Sequence, residues 1–362
     1  MPPEDFSRIA NNFYTSKGIS SDPNRINLDM EFVNYYSSHT QDVEKKYKVA
    51  FVFICLNPLY WEFTSKMVEG AKKFFLPGHK TDFLFWTDIP EKEEDIRSKM
   101  TTEFQKILGL NPQDHNLIYN DLIIGQNYLT NLNQKILDVI NLRKNTNVNI
   151  IPTESVAWPM PTLMRYHLFL QQEEKLKEYD YIFYCDVDME FVGIVGDEIL
   201  GQGLTAAPHP GYFLRKELYP PYEPNELSAS YISRPGKVEI DLTSTAQVKK
   251  RFIPHYYAGG FQGGKSANYI QAMKDCRDLI DSDQKIGYIP IWNDETTWNK
   301  YLFQNPPSVF LTPSYIYPDS LIKEYYEPIV WGRSFEPKLV TTTKWFSLSS
   351  EGGQKVQDMI KK

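Results

Sequence analysis

The sequence predicts an α/β fold, with a central, mostly parallel twisted sheet flanked by helices. Residues 49–56 form an apolar run that is typical of a strand buried on both faces of a parallel sheet. Apolar residues then recur every three to four positions over 59–74, which predicts a helix, and residues 82–86 form a second apolar strand. This strand–helix–strand order favours a doubly wound sheet, which binds its ligand beyond the carboxyl ends of its strands.

The same patterns predict the remaining elements. Helices are expected over 96–108, 128–142, 162–177 and 266–281, with Thr162 as an N-cap, and a further helix opens at Asp294 and Glu295. Strands are expected over 149–152, 179–185, 204–207, 255–264 and 309–311. Most of these strands are short apolar runs next to a helix, as an α/β fold requires.

Composition limits the class of partner. The net charge of −7 and pI near 5.5 argue against nucleic acid, because binding its phosphates needs a basic face. The three cysteines contain no Cys-x-x-Cys pair, which fits buried free thiols in a reducing compartment. The first residues lack the pattern of a signal peptide, and no run approaches the roughly 18 apolar residues of a membrane span. We therefore expect a soluble, cytoplasmic protein without a membrane span.

The strongest candidate site is Asp186-Val187-Asp188, which directly follows the apolar strand at 179–185. Alternate residues of a strand point the same way, so both carboxylates can converge on one point. Two hard oxygen donors at the end of a buried strand suit Mn²⁺ or Mg²⁺, and such an ion suits a diphosphate. An isolated Asp-x-Asp is nevertheless more often a simple turn at the end of a strand.

Three other residues have both a functional and a structural interpretation. Tyr60 follows the first strand, where it could stack on a nucleotide base or make a core contact in the first helical turn. Arg165 lies near a helix start, where a surface salt bridge is the usual explanation. His209 stands between two prolines and therefore belongs to a loop, as a site residue or as a hydrogen-bonded turn residue.

Two later stretches are unusual for their predicted elements. The strand at 255–264 contains two Gly-Gly pairs, which indicates either close approach of another group or a bulged, packed strand. Asp294 and Glu295 are normal as acidic residues of a first helical turn, and they are also candidates for catalysis.

The order and residue sequence of four motifs resemble those of glycosyltransferase family 6, the family of the histo-blood-group A and B transferases and α-1,3-galactosyltransferase. The motifs are Cys-Asp-Val-Asp-Met-Glu-Phe, His-Pro-Gly-Tyr, Tyr-Tyr-Ala-Gly-Gly-Phe-x-Gly-Gly and Trp-Asn-Asp-Glu-Thr-x-x-Asn-Lys-Tyr. The resemblance runs from about residue 49 to 344, with apparent insertions at about 91–145 and 233–252. It implies a GT-A type fold.

The resemblance also implies a domain organisation. It places an N-terminal extension at 1–48, one catalytic domain at 49–346 and a C-terminal tail at 347–362. Within the domain, the nucleotide-binding half covers about 49–205 and the acceptor half about 206–330.

The activity implied is retaining transfer of GalNAc or Gal from a UDP-sugar to the 3-hydroxyl of a galactoside or fucosylated glycan acceptor. Mn²⁺ is the expected cofactor, with Mg²⁺ as the alternative. Two other functions are compatible with the sequence. One is a family member that uses another UDP-hexose such as UDP-Glc, and the other is a sugar-binding protein that has lost turnover.

Site residues follow from the motifs that match the family. The metal is assigned to Asp186 and Asp188. The nucleotide is assigned to Tyr60, Asp186, Val187, Lys338 and Lys344. The donor sugar is assigned to Trp158, Arg165, Ala258, Gly259, Gly260 and Asp294. The acceptor is assigned to His209, Tyr212, Trp292 and Glu295, and Glu295 is also the expected catalytic carboxylate beneath the reactive carbon of the sugar.

Some positions depart from the family pattern. Asn293 stands where mammalian members usually have His, and Cys55 and Asn57 replace residues that usually line the uridine pocket. The small residues at 258–260 are expected to leave room near C2 of the donor sugar, which favours UDP-GalNAc over UDP-Gal.

Overall fold

The structure is a computed structural model that describes residues 45–107, 122–213, 220–233, 256–318 and 337–342. In these ranges it has a seven-stranded main sheet and a smaller three-stranded sheet. The main sheet contains β1 (Lys48–Cys55), β2 (Lys80–Thr87), β3 (Val148–Pro152), β4 (Tyr181–Cys185), β6 (Leu204–Pro208), β7 (Tyr257–Lys265) and β8 (Val309–Phe310). The smaller sheet contains β5 (Met189–Phe191), β9 (Tyr317–Pro318) and β10 (Leu339–Thr341).

The main sheet has the order β3-β2-β1-β4-β7-β6-β8. Its pairs β2–β3, β1–β2, β1–β4 and β6–β8 are parallel, whereas β7 runs antiparallel to both β4 and β6. The chain builds outward from β1 through β2 to β3 and then returns to add β4 on the other side of β1. This mostly parallel sheet with flanking helices confirms the predicted α/β fold.

Eight α-helices accompany the sheets in the described ranges. They are α1 (Pro58–Phe74), α2 (Glu93–Ile107), α3 (Leu122–Arg143), α4 (Met160–Leu163), α5 (Arg165–Leu170), α6 (Glu173–Leu176), α7 (Ser266–Lys285) and α8 (Asn293–Gln304). The helix predicted over 162–177 is wrong in detail, because three short helices occupy this segment. Thr162 is not an N-cap: α4 begins two residues earlier, and the Thr162 hydroxyl donates to the Pro159 carbonyl at 2.9 Å.

The two faces of the main sheet bury separate apolar layers, because alternate strand residues point to opposite faces. On one face Phe53 and Phe85 stack with ring centroids 4.4 Å apart. Ile96 of α2 and Ile136 of α3 belong to this layer, so the segment at 91–145 contributes to the main core. The opposite layer includes Trp86, Tyr184, Phe169, Met273 and Trp298. Helices thus cover both faces of the sheet.

The smaller sheet joins a late segment of the chain to the turn after β4. Strand β10 pairs antiparallel with β5 and parallel with β9. Beside it, the Thr342 N–H donates to the Asp188 carbonyl at 2.7 Å. The backbone of the Asp-Val-Asp turn is therefore fixed by residues more than 150 positions later.

All three cysteines are buried free thiols: Cys55 and Cys185 lie in β1 and β4, and Cys276 lies in α7. Burial raises the pKa of each thiol well above its ordinary value. Among the helices that the structure describes, none combines the length and the apolar character needed to cross a bilayer.

Candidate active site

A cavity of about 500 Å³ opens at the carboxyl ends of β1 and β4. Six residues predicted for the site line it, namely Tyr60, Trp158, Arg165, Asp186, Val187 and Asp188. Cys55 and Asn57, the two residues that depart from the family pattern near the first strand, line it as well. Residues from four separate parts of the sequence thus meet where a doubly wound sheet binds its ligand.

The Asp186-Val187-Asp188 segment is a tight turn between β4 and β5. The Asp186 N–H donates to the Gly260 carbonyl at 2.8 Å, and the Met189 N–H returns to the Asp186 carbonyl at 3.2 Å. Val187 is buried between the two half-buried aspartates. This turn brings both aspartates to the wall of the cavity.

Two carboxylates provide the hard oxygen ligands that Mn²⁺ and Mg²⁺ prefer. Within the described ranges, no group of three or more His, Cys, Asp or Glu side chains could hold a metal ion. The described side chains therefore fit an ion that takes part of its coordination from a bound diphosphate or water, and they do not form a complete protein cage.

Arg165 is the central cation of the site. Its Nη2 lies 3.5 Å from Asp186 Oδ1 and its Nε lies 3.0 Å from Asp294 Oδ2, while Nη1 donates to the Gly259 carbonyl at 3.2 Å. Burial alone would lower the pKa of this guanidinium, but Asp294, Tyr184 and Asp186 raise it above its ordinary value. Arg165 is therefore a buried, charged link between two carboxylates, rather than a member of a surface salt bridge.

The glycine pair in β7 makes room for acidic side chains. The Gly259 N–H donates to Glu295 Oε2 at 2.7 Å, and a Cβ added at Gly259 would lie 3.3 Å from the Cβ of Glu295. A Cβ added at Gly260 would lie 2.8 Å from Asp186 Oδ2 and 2.7 Å from Ile316 Cδ1. The glycine at 260 thus leaves space for the side chains of Asp186 and Ile316. Ala258 is buried in the same strand.

Asp294 and Glu295 lie in the first turn of α8, and both carboxyl groups are protonated more readily than usual. Burial raises the pKa of Glu295 to about 7, against the lowering effects of the Gly259 N–H and the Tyr256 hydroxyl. Burial also raises the pKa of Asp294 to about 6, although Arg165 opposes this shift. The Glu295 carboxylate binds a glycine of β7, so its role extends beyond helix capping.

The predicted acceptor residues lie beside Glu295. His209 and Tyr212 have ring centroids 5.3 Å apart, and both rings contact Tyr256 at 5.9 and 5.6 Å. His209 Nδ1 accepts the Gly211 N–H at 3.1 Å, and burial lowers the pKa of His209 to about 4. His209 is therefore neutral with its proton on Nε2. Trp292 immediately precedes α8 and is 49% exposed, as a surface for an external ligand requires.

Lys338 does not reach the cavity. Its ammonium donates to Glu198 Oε1 at 2.6 Å and to the Tyr315 hydroxyl at 3.0 Å, and it does not line the cavity wall. Lys338 lowers the pKa of the buried Glu198, although burial acts in the opposite direction. The structure thus pairs Lys338 with a carboxylate where the sequence predicted a diphosphate contact. Lys344 lies outside the described residues.

Sequence reasoning missed several residues that hold the site together. Tyr184 donates to Asp186 Oδ1, and the fully buried Gln262 donates to the Gly259 carbonyl at 2.9 Å. Asp88 accepts the Trp61 indole N–H at 2.7 Å and the Asn57 N–H at 3.1 Å, which fixes the start of α1 and with it Tyr60. Of these residues only Tyr184 could be anticipated from the sequence, since it lies on β4 two residues before Asp186.

The α/β sheet, its flanking helices and the aspartate pair after β4 define a GT-A type glycosyltransferase fold. A family model described as "Glycosyltransferase family 6" matches residues 126–327, which is more than half of the 362 residues. The chain belongs to glycosyltransferase family 6.

Individual relatives agree with this assignment. Globoside alpha-1,3-N-acetylgalactosaminyltransferase 1 of Gallus gallus is 24% identical over 260 residues, which are 72% of this chain and 59% of the relative. Histo-blood group ABO system transferase 1 of Rattus norvegicus is 34% identical over 263 residues, 73% of this chain and 59% of the relative. O-antigen biosynthesis glycosyltransferase WbnI of Escherichia coli is 28% identical over 183 residues, 50% of this chain and 71% of the relative. The chain thus spans less than two thirds of the two animal proteins.

Proposed function

We propose that this protein transfers GalNAc or Gal from a UDP-sugar to the 3-hydroxyl of a galactoside or fucosylated glycan, with retention of configuration. The observation that carries the proposal is the arrangement of two acidic groups. Asp186 and Asp188 line a cavity at the end of the sheet, and Arg165 links Asp186 to the first turn of α8, where Glu295 lies. Such an arrangement can hold a leaving diphosphate on one side and a reacting sugar on the other.

Asp186 and Asp188 would hold Mn²⁺, or Mg²⁺ in its place, together with the diphosphate of the donor. When bound, the ion neutralises the negative charge that develops on the departing UDP. Tyr60 in the cavity wall offers an aromatic face to the uracil base.

Glu295 would act on the reactive carbon of the donor sugar. A covalent nucleophile and an electrostatic stabiliser of a positively charged transition state both require the ionised carboxylate. The Gly259 N–H at 2.7 Å fixes its orientation, and the raised pKa of about 7 shows that the site favours the uncharged form more than water does. A carboxylate that is poorly solvated in its buried site is stabilised more strongly by a nearby positive charge on the sugar carbon than a well-solvated one.

The acceptor would bind at Tyr212, Trp292 and the neutral His209, whose Nε2–H can donate to a sugar hydroxyl. The family assignment and the name of the Gallus gallus relative, an N-acetylgalactosaminyltransferase, support GalNAc as the donor sugar.

A panel of UDP-sugars tests this function directly. Release of UDP would be measured from UDP-GalNAc, UDP-Gal and UDP-Glc, with Mn²⁺ and with EDTA, and with lactose or a fucosylated galactoside as the acceptor. We expect turnover of UDP-GalNAc or UDP-Gal that EDTA abolishes and that is lost in Asp188→Asn. Turnover that is equal in EDTA would overturn the metal-dependent function, and turnover of UDP-Glc alone would overturn the donor assignment.

A further inference from the structure

Tyr184 is a buried residue of β4 whose hydroxyl group points back into the site. The side chain is 1% exposed and packs in the apolar layer with Phe169, at a ring-centroid distance of 5.6 Å. Its hydroxyl nevertheless donates a hydrogen bond to Asp186 Oδ1. A phenylalanine would fill the same apolar space, so packing alone does not require the hydroxyl.

Arg165 contacts the same two residues. Its guanidinium carbon lies 4.2 Å from the centre of the Tyr184 ring, and its Nη2 lies 3.5 Å from Asp186 Oδ1. One oxygen of the aspartate therefore faces two donors. A carboxylate held in this way has little freedom to rotate about its terminal bond.

Gly260 borders the second oxygen of Asp186. A Cβ at this position would lie 2.8 Å from Asp186 Oδ2, so the carboxylate occupies space that only glycine leaves open. The Gly260 carbonyl also accepts the Asp186 N–H at 2.8 Å. The plane of the Asp186 carboxylate is thus defined from both sides.

From these contacts we propose that Tyr184 is a positioning residue for the metal and the diphosphate, because its hydroxyl holds Asp186 in the orientation that binds them. This proposal rests on the proposed function of Asp186. Tyr184 borders the cavity, but the proposed role acts through its hydrogen bond to Asp186. Groups that orient a metal ligand through a hydrogen bond commonly change metal affinity 10–100-fold when they are removed.

The test compares Tyr184→Phe with Tyr181→Phe in the full chain. Tyr181 lies on the same strand, is equally buried and donates its hydroxyl to the Gly201 carbonyl at 3.0 Å, away from the aspartates. Mn²⁺ affinity would be measured by electron paramagnetic resonance with and without UDP, and folding would be followed by thermal unfolding. We expect a loss of roughly 10-fold or more in Mn²⁺ affinity for Tyr184→Phe and no change for Tyr181→Phe.

The outcomes separate the two proposals. Equal Mn²⁺ affinity in Tyr184→Phe and the unsubstituted protein would overturn the positioning role and leave the proposed function intact. An equal loss in both variants would also overturn it, because a general effect on the strand would then explain the result. If the unsubstituted protein binds neither Mn²⁺ nor UDP, the proposed function fails and the positioning role fails with it.

Discussion

Glu295 shows how burial prepares a single side chain for chemistry. Its carboxylate accepts the Gly259 N–H, but the loss of water around it dominates and raises its pKa from 4.5 to about 7. The neighbouring charges of Asp294 and Asp186 raise it further. Groups with such shifted pKa values are concentrated at active sites, because a catalytic group needs its ionisation matched to its task.

Glu295→Gln tests this residue through turnover. We expect kcat to fall by on the order of 10³-fold, because an interaction made in the transition state appears in kcat. UDP affinity should stay within about twofold, since Glu295 does not line the cavity at the carboxyl ends of β1 and β4. The measurement is steady-state UDP release together with calorimetric UDP binding. Glu174→Gln, on an exposed carboxylate, is the matched control. An unchanged kcat would reduce Glu295 to a structural contact.

The same variant should alter how stability depends on pH. Since the pKa of Glu295 is higher in the folded protein than its ordinary 4.5, the folded state binds more protons between pH 4.5 and about 7. Its contribution to the free energy of unfolding therefore falls as pH rises through this range. Glutamine does not titrate, so the variant does not lose stability in this way. The free energy of unfolding of Glu295→Gln, relative to that of the unsubstituted protein, should therefore be about 1–3 kcal/mol higher at pH 8 than at pH 5. Urea unfolding at both pH values measures this, and a constant difference would contradict the assigned pKa.

The sequence predicted the acidic residues of the site better than the residues that hydrogen-bond to them or to their neighbours. Asp186 and Glu295 belong to motifs with fixed neighbours, so they could be recognised. Tyr256 reaches Glu295, and Gln262 reaches the Gly259 carbonyl, only through the pairing of β7 with its neighbours and the packing of α8. No local pattern encodes these contacts. Lys338 was assigned to the diphosphate from the resemblance to the family, and its pairing with Glu198, 140 residues away, required the fold.

Strand β7 is the element that connects the two sides of the site. It pairs antiparallel with β4, and its Gly260 carbonyl accepts the Asp186 N–H. One residue earlier, the Gly259 N–H donates to Glu295 and its carbonyl accepts from Arg165 and Gln262. A shift of this strand would therefore move Asp186 and Glu295 together.

Gly260→Ala tests the close approach of β7 to Asp186. The new Cβ would lie 2.8 Å from Asp186 Oδ2 and 2.7 Å from Ile316 Cδ1, so neighbouring atoms must shift, at a cost of about 1–3 kcal/mol. We expect turnover to fall at least tenfold with both UDP-GalNAc and UDP-Gal, without a change of preference. Rates with each donor and the melting temperature measure this. Gly78→Ala, where nothing lies within 4 Å, is the control. If the ratio of the UDP-GalNAc and UDP-Gal rates changed at full activity, the small residues at 258–260 would instead select the donor through the size of the pocket.

Elements with long apolar patterns could be predicted closely from sequence, whereas the three strands of the smaller sheet could not. Strand β8 is only two residues long, but it lies within the strand predicted at 309–311. The strand predicted at 49–56 and the helix at 59–74 lie within one residue of β1 and α1, because an eight-residue apolar run and four helical turns leave little ambiguity. Strands β5, β9 and β10 are two or three residues long, too short to show a period. They are strands only through their pairing with one another, which joins β5 to segments more than 100 residues later in the sequence.

The whole molecule places its site at the point where the direction of strand addition reverses. From β1 the chain adds β2 and β3 on one side and β4 on the other, so the connections after β1 and β4 separate and leave a crevice. The cavity lies there, lined by residues from the segments 54–60, 155–165 and 184–188 and by Glu103 and Lys106. Ligand binding at this point is a property of open α/β sheets in general. The site therefore depends on the topology as much as on any residue in it.

Because the cavity is formed by several elements, ligand binding should stabilise the whole fold. At 100 times its dissociation constant a ligand adds about 2.7 kcal/mol, which should raise the melting temperature by a few degrees. We expect this shift in melting temperature with UDP plus Mn²⁺ and little shift with UDP in EDTA. In Asp186→Asn, UDP plus Mn²⁺ should give no more than the shift seen with UDP in EDTA. Thermal unfolding by fluorescence measures it, with AMP in place of UDP as the control. If UDP stabilised the protein equally in EDTA, the nucleotide would bind through Tyr60 and the cavity wall alone, and the aspartates would not act through a metal ion.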